Sequence, residues 1–342
     1  MKPLSSRETV LDQETKIALL QQPQTYPEKP ARVEAVETHM SWVFLTPHHA
    51  FKLKKTVRYD YLDFSTLAAR KRSCEEEMRL NQRLAPNVYR GLVAITMNAR
   101  GEMQIEGQGE VVDWLVKMRR LPAERMLDYL IRHQALEPVE LHTVAERLAY
   151  FYRECTPQKI SGEEYRRQYE HNLRANHEAL ANPLFELPAT LVESVHGAQW
   201  KFLRSTPELF DRRAAEGRIV EGHGDLRPEH VCMESPPVIF DCLEFNRTFR
   251  IIDAADELAF LSMECERLGA PQVEQELFQA YRRITGDHPP PPLVHFYKAH
   301  RACLRARLAI WHLRDLERSV WPRWRAVAGE YLRLAESYGM KL

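Results

Sequence analysis

The chain has 342 residues and a mass of 40.1 kDa, long enough for two domains or for one large two-lobed domain. Its 48 Lys and Arg balance 48 Asp and Glu, and 44% hydrophobic with 28% charged residues is the composition of a soluble globular protein. That balance argues against wholesale binding to nucleic acid or membrane, and the 13 glycines are too few for Gly-rich linkers.

A helical apolar pattern covers residues 9–22 and is broken by Pro23, Pro27 and Pro30. Val33, Val36, Trp42–Leu45 and Ala50–Leu53 then read as short strands, with a turn at Pro47-His48-His49. Residues 65–84 read as a helix, with Asp63 and Ser65 as cap candidates. Leu92–Met97, Met103–Ile105 and Val111–Met118 return to strand texture, so the first 118 residues predict a small mixed sheet with one helix. After Pro122 helices predominate: 123–134, 138–155, 161–181, 188–205 and 207–216. Brief apolar runs interrupt them at 218–250. Helices resume over 254–268, 271–285 and 293–338, the last broken near Trp321-Pro322. The boundaries expected are 1–118, with a helical extension at 1–30, and 119–342.

No apolar run reaches the length of a membrane span, and the N-terminal Met-Lys-Pro-Leu-Ser-Ser-Arg lacks the apolar stretch of a signal peptide. The six cysteines form no C-x-x-C pair and read as reduced thiols, so a cytoplasmic protein is expected.

The stretch richest in chemistry is His223-Gly224-Asp225-Leu226-Arg227-Pro228-Glu229-His230, followed by Val238-Ile239-Phe240-Asp241. A carboxylate on a loop between short apolar strands can take a proton from a substrate hydroxyl. A second one at the end of the next strand can hold a divalent metal. Phosphoryl transfer uses that pair, because the protein's work is to position the acceptor and neutralise charge on the phosphates. An ordinary hairpin with an Asp at each turn would share either residue alone, but not the whole string.

That string resembles the catalytic loop H-G-D-x-x-x-x-N and the metal strand of the aminoglycoside phosphotransferase family, which has a protein-kinase-like fold. The resemblance extends into Ile251-Ile252-Asp253-Ala254-Ala255-Asp256-Glu257-Leu258-Ala259 and covers roughly residues 33–310. It is strongest from His223 to Ala259, and looks most like a bacterial branch sometimes fused to a C-terminal P-loop ATPase. It implies an α+β, bilobal fold with a small mixed-sheet N-lobe and a mostly helical C-lobe. It also implies ATP with Mg²⁺ or Mn²⁺, Asp225 as catalytic base, Asp241 as metal ligand and Asp256 as a brace for the catalytic loop. No G-x-x-x-x-G-K-[ST] occurs in the chain, so a P-loop ATPase would be a separate partner.

In the N-terminal part, Ala50-Phe51-Lys52 resembles the family's strand lysine, which reaches the α- and β-phosphates. Lys54 lies on the same strand face and is a credible substitute. An edge strand protected by lysines would give the same pattern. Glu77 holds the place of the helix glutamate that orients the lysine, although Glu75 and Glu76 beside it share its chemistry. Val112–Met118 would be the hinge, with backbone groups near Val116 to Met118 bonding adenine.

Two departures from the family pattern stand out. His230 occupies the asparagine position, and magnesium prefers oxygen ligands while manganese tolerates imidazole better. His230 is therefore a metal ligand, a phosphate or Asp225 contact, or a packing residue, with Glu244 as a further metal candidate. The nucleotide-covering stretch Glu37-Thr38-His39-Met40-Ser41 has no glycine, leaving Ser41 or backbone N–H groups for the phosphates.

The net charge of zero is a cancellation. Residues 1–118 carry +2, residues 119–295 carry −8 and residues 296–342 carry +6, with Arg301, Arg305 and Arg307 near one another on a helix. The expected function is ATP-dependent phosphotransfer to the hydroxyl of a neutral or anionic small molecule, not an aminoglycoside. These arginines pairing with the acidic middle segment is the plainer account of the same charges. The competing reading is a catalytically weak, pseudokinase-like nucleotide-binding or regulatory module. A nucleic-acid role is not expected, since the C-terminal aromatics recur at helical spacing.

Overall fold

The computed structural model describes residues 13–59, 61–314 and 317–342. The part of the first expected helix at residues 9–12 lies outside them. The chain divides into two units: one runs to Pro122 and includes Ile239–Asn246, the other holds Ala123–Val238 and Arg247–Leu342. The expected cut after residue 118 lies four residues before this one, and sequence gave no sign that 239–246 returns to the first unit.

The first unit begins with α1 (Gln13–Leu20) and strands β1 (Glu34–Glu37), β2 (Ser41–Leu45) and β3 (His49–Lys54). A two-residue hairpin, β4 (Arg58–Tyr59) and β5 (Leu62–Asp63), precedes α2 (Leu67–Asn81), and β6 (Tyr89–Met97), β7 (Met103–Ile105) and β8 (Glu110–Arg119) complete it. The six-stranded sheet has the order β1-β2-β3-β8-β6-β7, and every pairing in it is antiparallel, not mixed as expected. Tight connections such as Thr46–His48 between β2 and β3 permit only antiparallel neighbours. The strand texture read from the sequence is otherwise reproduced to within a few residues.

Alternation along β3 buries Phe51 and Leu53 in a core with Phe44, Val93, Ile95 and Leu115, and places Lys52 and Lys54 on the opposite face. Leu20 and Tyr26 join that core, so the N-terminal helical segment is part of the unit. Buried Asp113 of β8 fixes both helices: Lys16 of α1 donates to it at 2.6 Å, and Arg70 of α2 grips it in a fork at 2.9 and 3.0 Å. The cap of α2 is Thr66, whose hydroxyl accepts the N–H of Ala69. Asp63 instead accepts the N–H and hydroxyl of Ser65.

The second unit carries α3 (Leu127–Arg132), α4 (Pro138–Glu154), α5 (Gly162–Leu180), α6 (Ala189–Ser205) and α7 (Pro207–Ala215). Short strands β9 (Ile219–Glu221), β10 (Val231–Cys232), β11 (Val238–Ile239) and β12 (Ile251–Asp253) follow, then α8 (Ala254–Arg267), α9 (Val273–Thr285), α10 (Pro291–Trp311) and α11 (Trp321–Gly339). The last helix is broken between Trp311 and Trp321, next to the expected Trp321-Pro322, and Pro322 itself sits in the first turn of α11, where a missing N–H costs nothing. Helix α8 is buried along nearly its whole length, and Phe260 and Met263 meet α10 and α11 in the main apolar core. All six cysteines lie outside disulfides, five of them buried. No helix among the described residues is long and apolar enough to cross a membrane.

Candidate functional site

In the first unit, one charge cluster joins β3, α2 and the segment after β11. Lys52 Nζ donates to Glu77 Oε1 at 2.9 Å and to Asp241 Oδ1 at 2.6 Å. Lys54 Nζ is paired with the other oxygen of Glu77 and with Glu244, which also accepts from Ser73 Oγ at 3.3 Å. Glu77 is wholly buried; Glu75 is exposed and Glu76 pairs with Arg79, so the helical rotation of about 100° per residue singles out one of the three. Burial alone would lower the lysine pKa, but Asp241, Glu77 and Glu244 outweigh it and hold Lys52 well above the ordinary range. In the same way Lys54 and Lys52 overcome burial and keep Glu244 below the usual carboxylate range.

Asp241 has φ 61°, a left-handed conformation that non-glycine residues adopt at a cost and that collects at functional sites. Its N–H donates to Tyr89 Oη at 3.2 Å. The next N–H, of Cys242, goes to Asn81 Oδ1 at 2.9 Å, while Asn81 Nδ2 donates back to the carbonyl of Glu77. Asn81 and Tyr89 thus hold the Asp241 turn, and the sequence reading missed both. The available signal was Asn81 four residues after Glu77, on the same helix face.

Ser41 is 1% exposed, in the Thr38–Ser41 turn between β1 and β2, with its N–H donated to Thr38 Oγ1. Its burial leaves no hydroxyl presented to a phosphate. Val116 and Met118 lie inside β8, paired on one side with Lys52 and Ala50 and on the other with Leu92 and Tyr89. Their backbone is committed to ladders, so the expected adenine contact from Val116–Met118 is not available. The chain leaves the sheet only after Arg119.

In the second unit the loop after β9 is built around Asp225. Gly224 has φ 88°, a turn conformation that glycine adopts without strain. Buried Glu257 of α8 accepts the N–H groups of His223, at 2.8 Å, and of Gly224, and takes a third hydrogen bond from Tyr152 Oη at 2.7 Å. Burial pushes the Glu257 carboxyl up against the pull of those donors. The expected brace, Asp256, faces elsewhere: Arg301 forks onto it at 2.7 and 2.8 Å and Tyr169 Oη donates at 2.9 Å. The loop is braced from one residue further on. Asp253 caps α8 and is gripped by Arg213.

Asp225 itself is half-buried. Arg227 Nε lies 3.1 Å from both its carboxylate oxygens, and His230 Nδ1 donates to its main-chain carbonyl at 2.8 Å. Arg227 Nη2 donates to His230 Nε2 at 3.2 Å. A guanidinium only donates and a carbonyl only accepts, so these bonds require the Nδ1–H tautomer of His230. Burial would raise the Asp225 carboxyl, but Arg227, His230, Arg305 and His223 hold it below the usual range. Of the three C-terminal arginines, Arg301 is spent on Asp256 and Arg305 pairs with Glu264 at 3.0 Å, while Arg307 lies over the Trp311 ring. The pairing of the basic helix with acidic residues of the middle segment is therefore real for two of them.

As for metal, Asp241 suits Mg²⁺ or Mn²⁺ in the way such ions are held beside phosphates, by one or two carboxylates and the phosphate oxygens. Glu244 is committed to Lys54, and the His230 lone pair to Arg227. Among the described residues no group of three or more His, Cys, Asp or Glu side chains is gathered to hold a metal.

These elements match known structures in their arrangement. A choline kinase from Cryptosporidium parvum superposes with a TM-score of 0.52 over 96% of this chain and 94% of its own, at 10% identity. The chain has the protein-kinase-like fold. An aminoglycoside phosphotransferase from Streptomyces rimosus is similar over 86% of this chain and 99% of its own, with 17% identity and a TM-score of 0.44. In sequence, an uncharacterised protein of Mycobacterium tuberculosis is 31% identical over 285 residues, 81% of this chain and 54% of that protein. The chain spans about half the length of the curated relatives it matches. No protein-family model matches it. The kinase-like resemblance drawn from His223–Ala259 and the fold agree.

Proposed function

We propose that the chain is an ATP-dependent phosphotransferase acting on a hydroxyl of a small molecule other than an aminoglycoside. The observation that carries this reading is Lys52, held at once by buried Glu77 and by Asp241 in its left-handed turn. Lys52 would contact the α- and β-phosphates, with Glu77 fixing its direction and Lys54 fixing Glu77. Asp241 would hold Mg²⁺ or Mn²⁺, which when bound supplies charge neutralisation on the phosphates. Asp225 would orient the acceptor hydroxyl and take its proton; Glu257 keeps the Asp225 loop in place. A guanidinium on the Asp225 carboxylate makes this loop a poor seat for a polycationic drug. Six cysteines outside disulfides suit a reducing compartment such as the cytoplasm. A P-loop ATPase, as in the fused branch of the family, is the protein partner to seek by co-purification.

The second reading, a nucleotide-binding module with weak catalysis, draws on the same guanidinium, which engages both oxygens of the base. Incubating the protein with ATP, Mg²⁺ or Mn²⁺ and panels of sugars, sugar acids, amino alcohols and aminoglycosides separates the two. ADP release with one non-aminoglycoside acceptor, abolished in Asp225→Asn, supports the enzyme. Turnover on aminoglycosides alone sinks the acceptor proposal. Nucleotide binding without any turnover favours the module.

A further inference from the structure

His230, at the position of the family asparagine, is paired with Arg227. In kinases two Mg²⁺ ions neutralise the phosphates, one held by the metal-strand Asp and the other by the catalytic-loop Asn. Here the Asn position carries an imidazole whose Nδ1–H is donated to the Asp225 carbonyl and whose Nε2 lone pair accepts from Arg227. His230 is 7% exposed, so the ring is fixed by packing as well as by these bonds. No oxygen ligand remains where the asparagine amide would be, and the one ring lone pair already faces a permanent cation.

The surrounding charge points the same way. Arg227 is locked over Asp225 through Nε and onto His230 through Nη2, while Nη1 reaches only to 3.8 Å from Glu229. Arg305 of α10 also acts on the Asp225 carboxyl, although its own ion pair is with Glu264. A divalent ion brought to this loop would meet the guanidinium that already lies on the neighbouring Asp225 carboxylate.

We propose that this protein uses a single divalent cation with its nucleotide, because the loop position that would hold a second one carries His230, which is committed to Arg227 and to the Asp225 carbonyl. His230 is then a positioning residue, whose ring both anchors to the loop carbonyl and accepts from Arg227. This inference rests on the phosphotransferase reading and deepens it.

The test counts metal ions without requiring an acceptor. The full chain is titrated with Mn²⁺ in the presence of saturating non-hydrolysable ATP analogue, and free Mn²⁺ is read by its electron paramagnetic resonance signal. One Mn²⁺ bound per chain is expected, against two for the doubly changed Arg227→Ala, His230→Asn protein, in which the guanidinium is gone and an oxygen ligand restored. Two Mn²⁺ ions on the unchanged protein overturn the inference while leaving the kinase reading intact. A count of one in both proteins, with analogue still bound, overturns the role given to Arg227 and His230. If the doubly changed chain fails to fold, the count on the unchanged protein decides. Failure of the unchanged protein to bind the analogue at all removes the kinase reading and this inference with it.

Discussion

Lys52 Nζ lies 2.6 Å from Asp241 Oδ1, although 189 residues separate the two in the chain. The contact exists because alternation along β3 turns Lys52 away from the apolar core and because Asn81 and Tyr89 hold the turn that carries Asp241. Lys54, two residues on, occupies the same face but has a different environment. Its side chain is 1% exposed and its two partners, Glu77 and Glu244, are 0% and 8% exposed.

The two lysines, interchangeable in sequence, should therefore separate on substitution. Lys54→Met takes the cation from buried Glu244 and leaves Glu77 with Lys52 alone, and should cost about 3–5 kcal/mol of stability. Lys52→Met should cost less in folding and weaken binding of the nucleotide about 10- to 100-fold, the worth of a charged hydrogen bond of about 1.5–3 kcal/mol. Urea denaturation and calorimetric titration with the ATP analogue measure the two effects. A Lys54 variant of normal stability and lost nucleotide affinity would reverse the assignment.

Glu257 makes a sharper stability prediction. A Cβ added at Gly222 would lie 2.5 Å from Glu257 Oε2, and that carboxylate is pinned by two loop N–H groups and Tyr152, so it has little room to give. Gly222→Ala should lose about 1–3 kcal/mol through overpacking and shift the loop that carries Asp225. Glu257→Gln should restore room poorly, since its Nε2 would face an N–H donor. Denaturation curves for both variants, each less stable than the unchanged protein, are the check.

What the sequence made legible was local: strand alternation that sets Lys52 and Lys54 on one face, and the string from His223 to His230. What it hid was decided by neighbours distant in the chain. Glu257 braces the loop instead of Asp256 because one step on a helix turns a side chain by about 100°, and only packing tells which direction meets residues 223 and 224. Likewise Val112–Met118, expected as the hinge, lies within β8, where β3 and β6 flank Val116 and Met118 on both sides. Arg227 has no assigned place in the motif, and its hold on Asp225 and His230 depends on how the loop folds.

His196 of α6 supplies a pH dependence. Burial, and then the stacked ring of His177 at 3.9 Å, lower its pKa from 6.5 to about 4, against the opposing pull of Glu193. The folded state thus holds His196 neutral where the unfolded chain binds a proton. Stability from this group is full above pH 6.5 and falls as the pH drops toward 4. Carboxylates titrate over part of the same range, so the measure is a difference. Between pH 7 and pH 4.5, His196→Gln should lose less stability than the unchanged protein. Equal losses would show that His196 titrates normally.

Arg301 decides what the basic C-terminal segment is for. The residue is 5% exposed, and its guanidinium forks onto Asp256 at 2.7 and 2.8 Å and stacks over the Phe260 ring at 5.1 Å. An acceptor anion would have to compete with a buried carboxylate for donors already used. Arg301→Lys keeps the charge but loses the fork and the planar stack, so it should destabilise the protein by about 1–3 kcal/mol. The KM for whatever acceptor is found should stay within about twofold, a change of ~0.4 kcal/mol. Steady-state kinetics beside denaturation curves distinguish the two roles: a large rise in KM at unchanged stability would return Arg301 to the acceptor site.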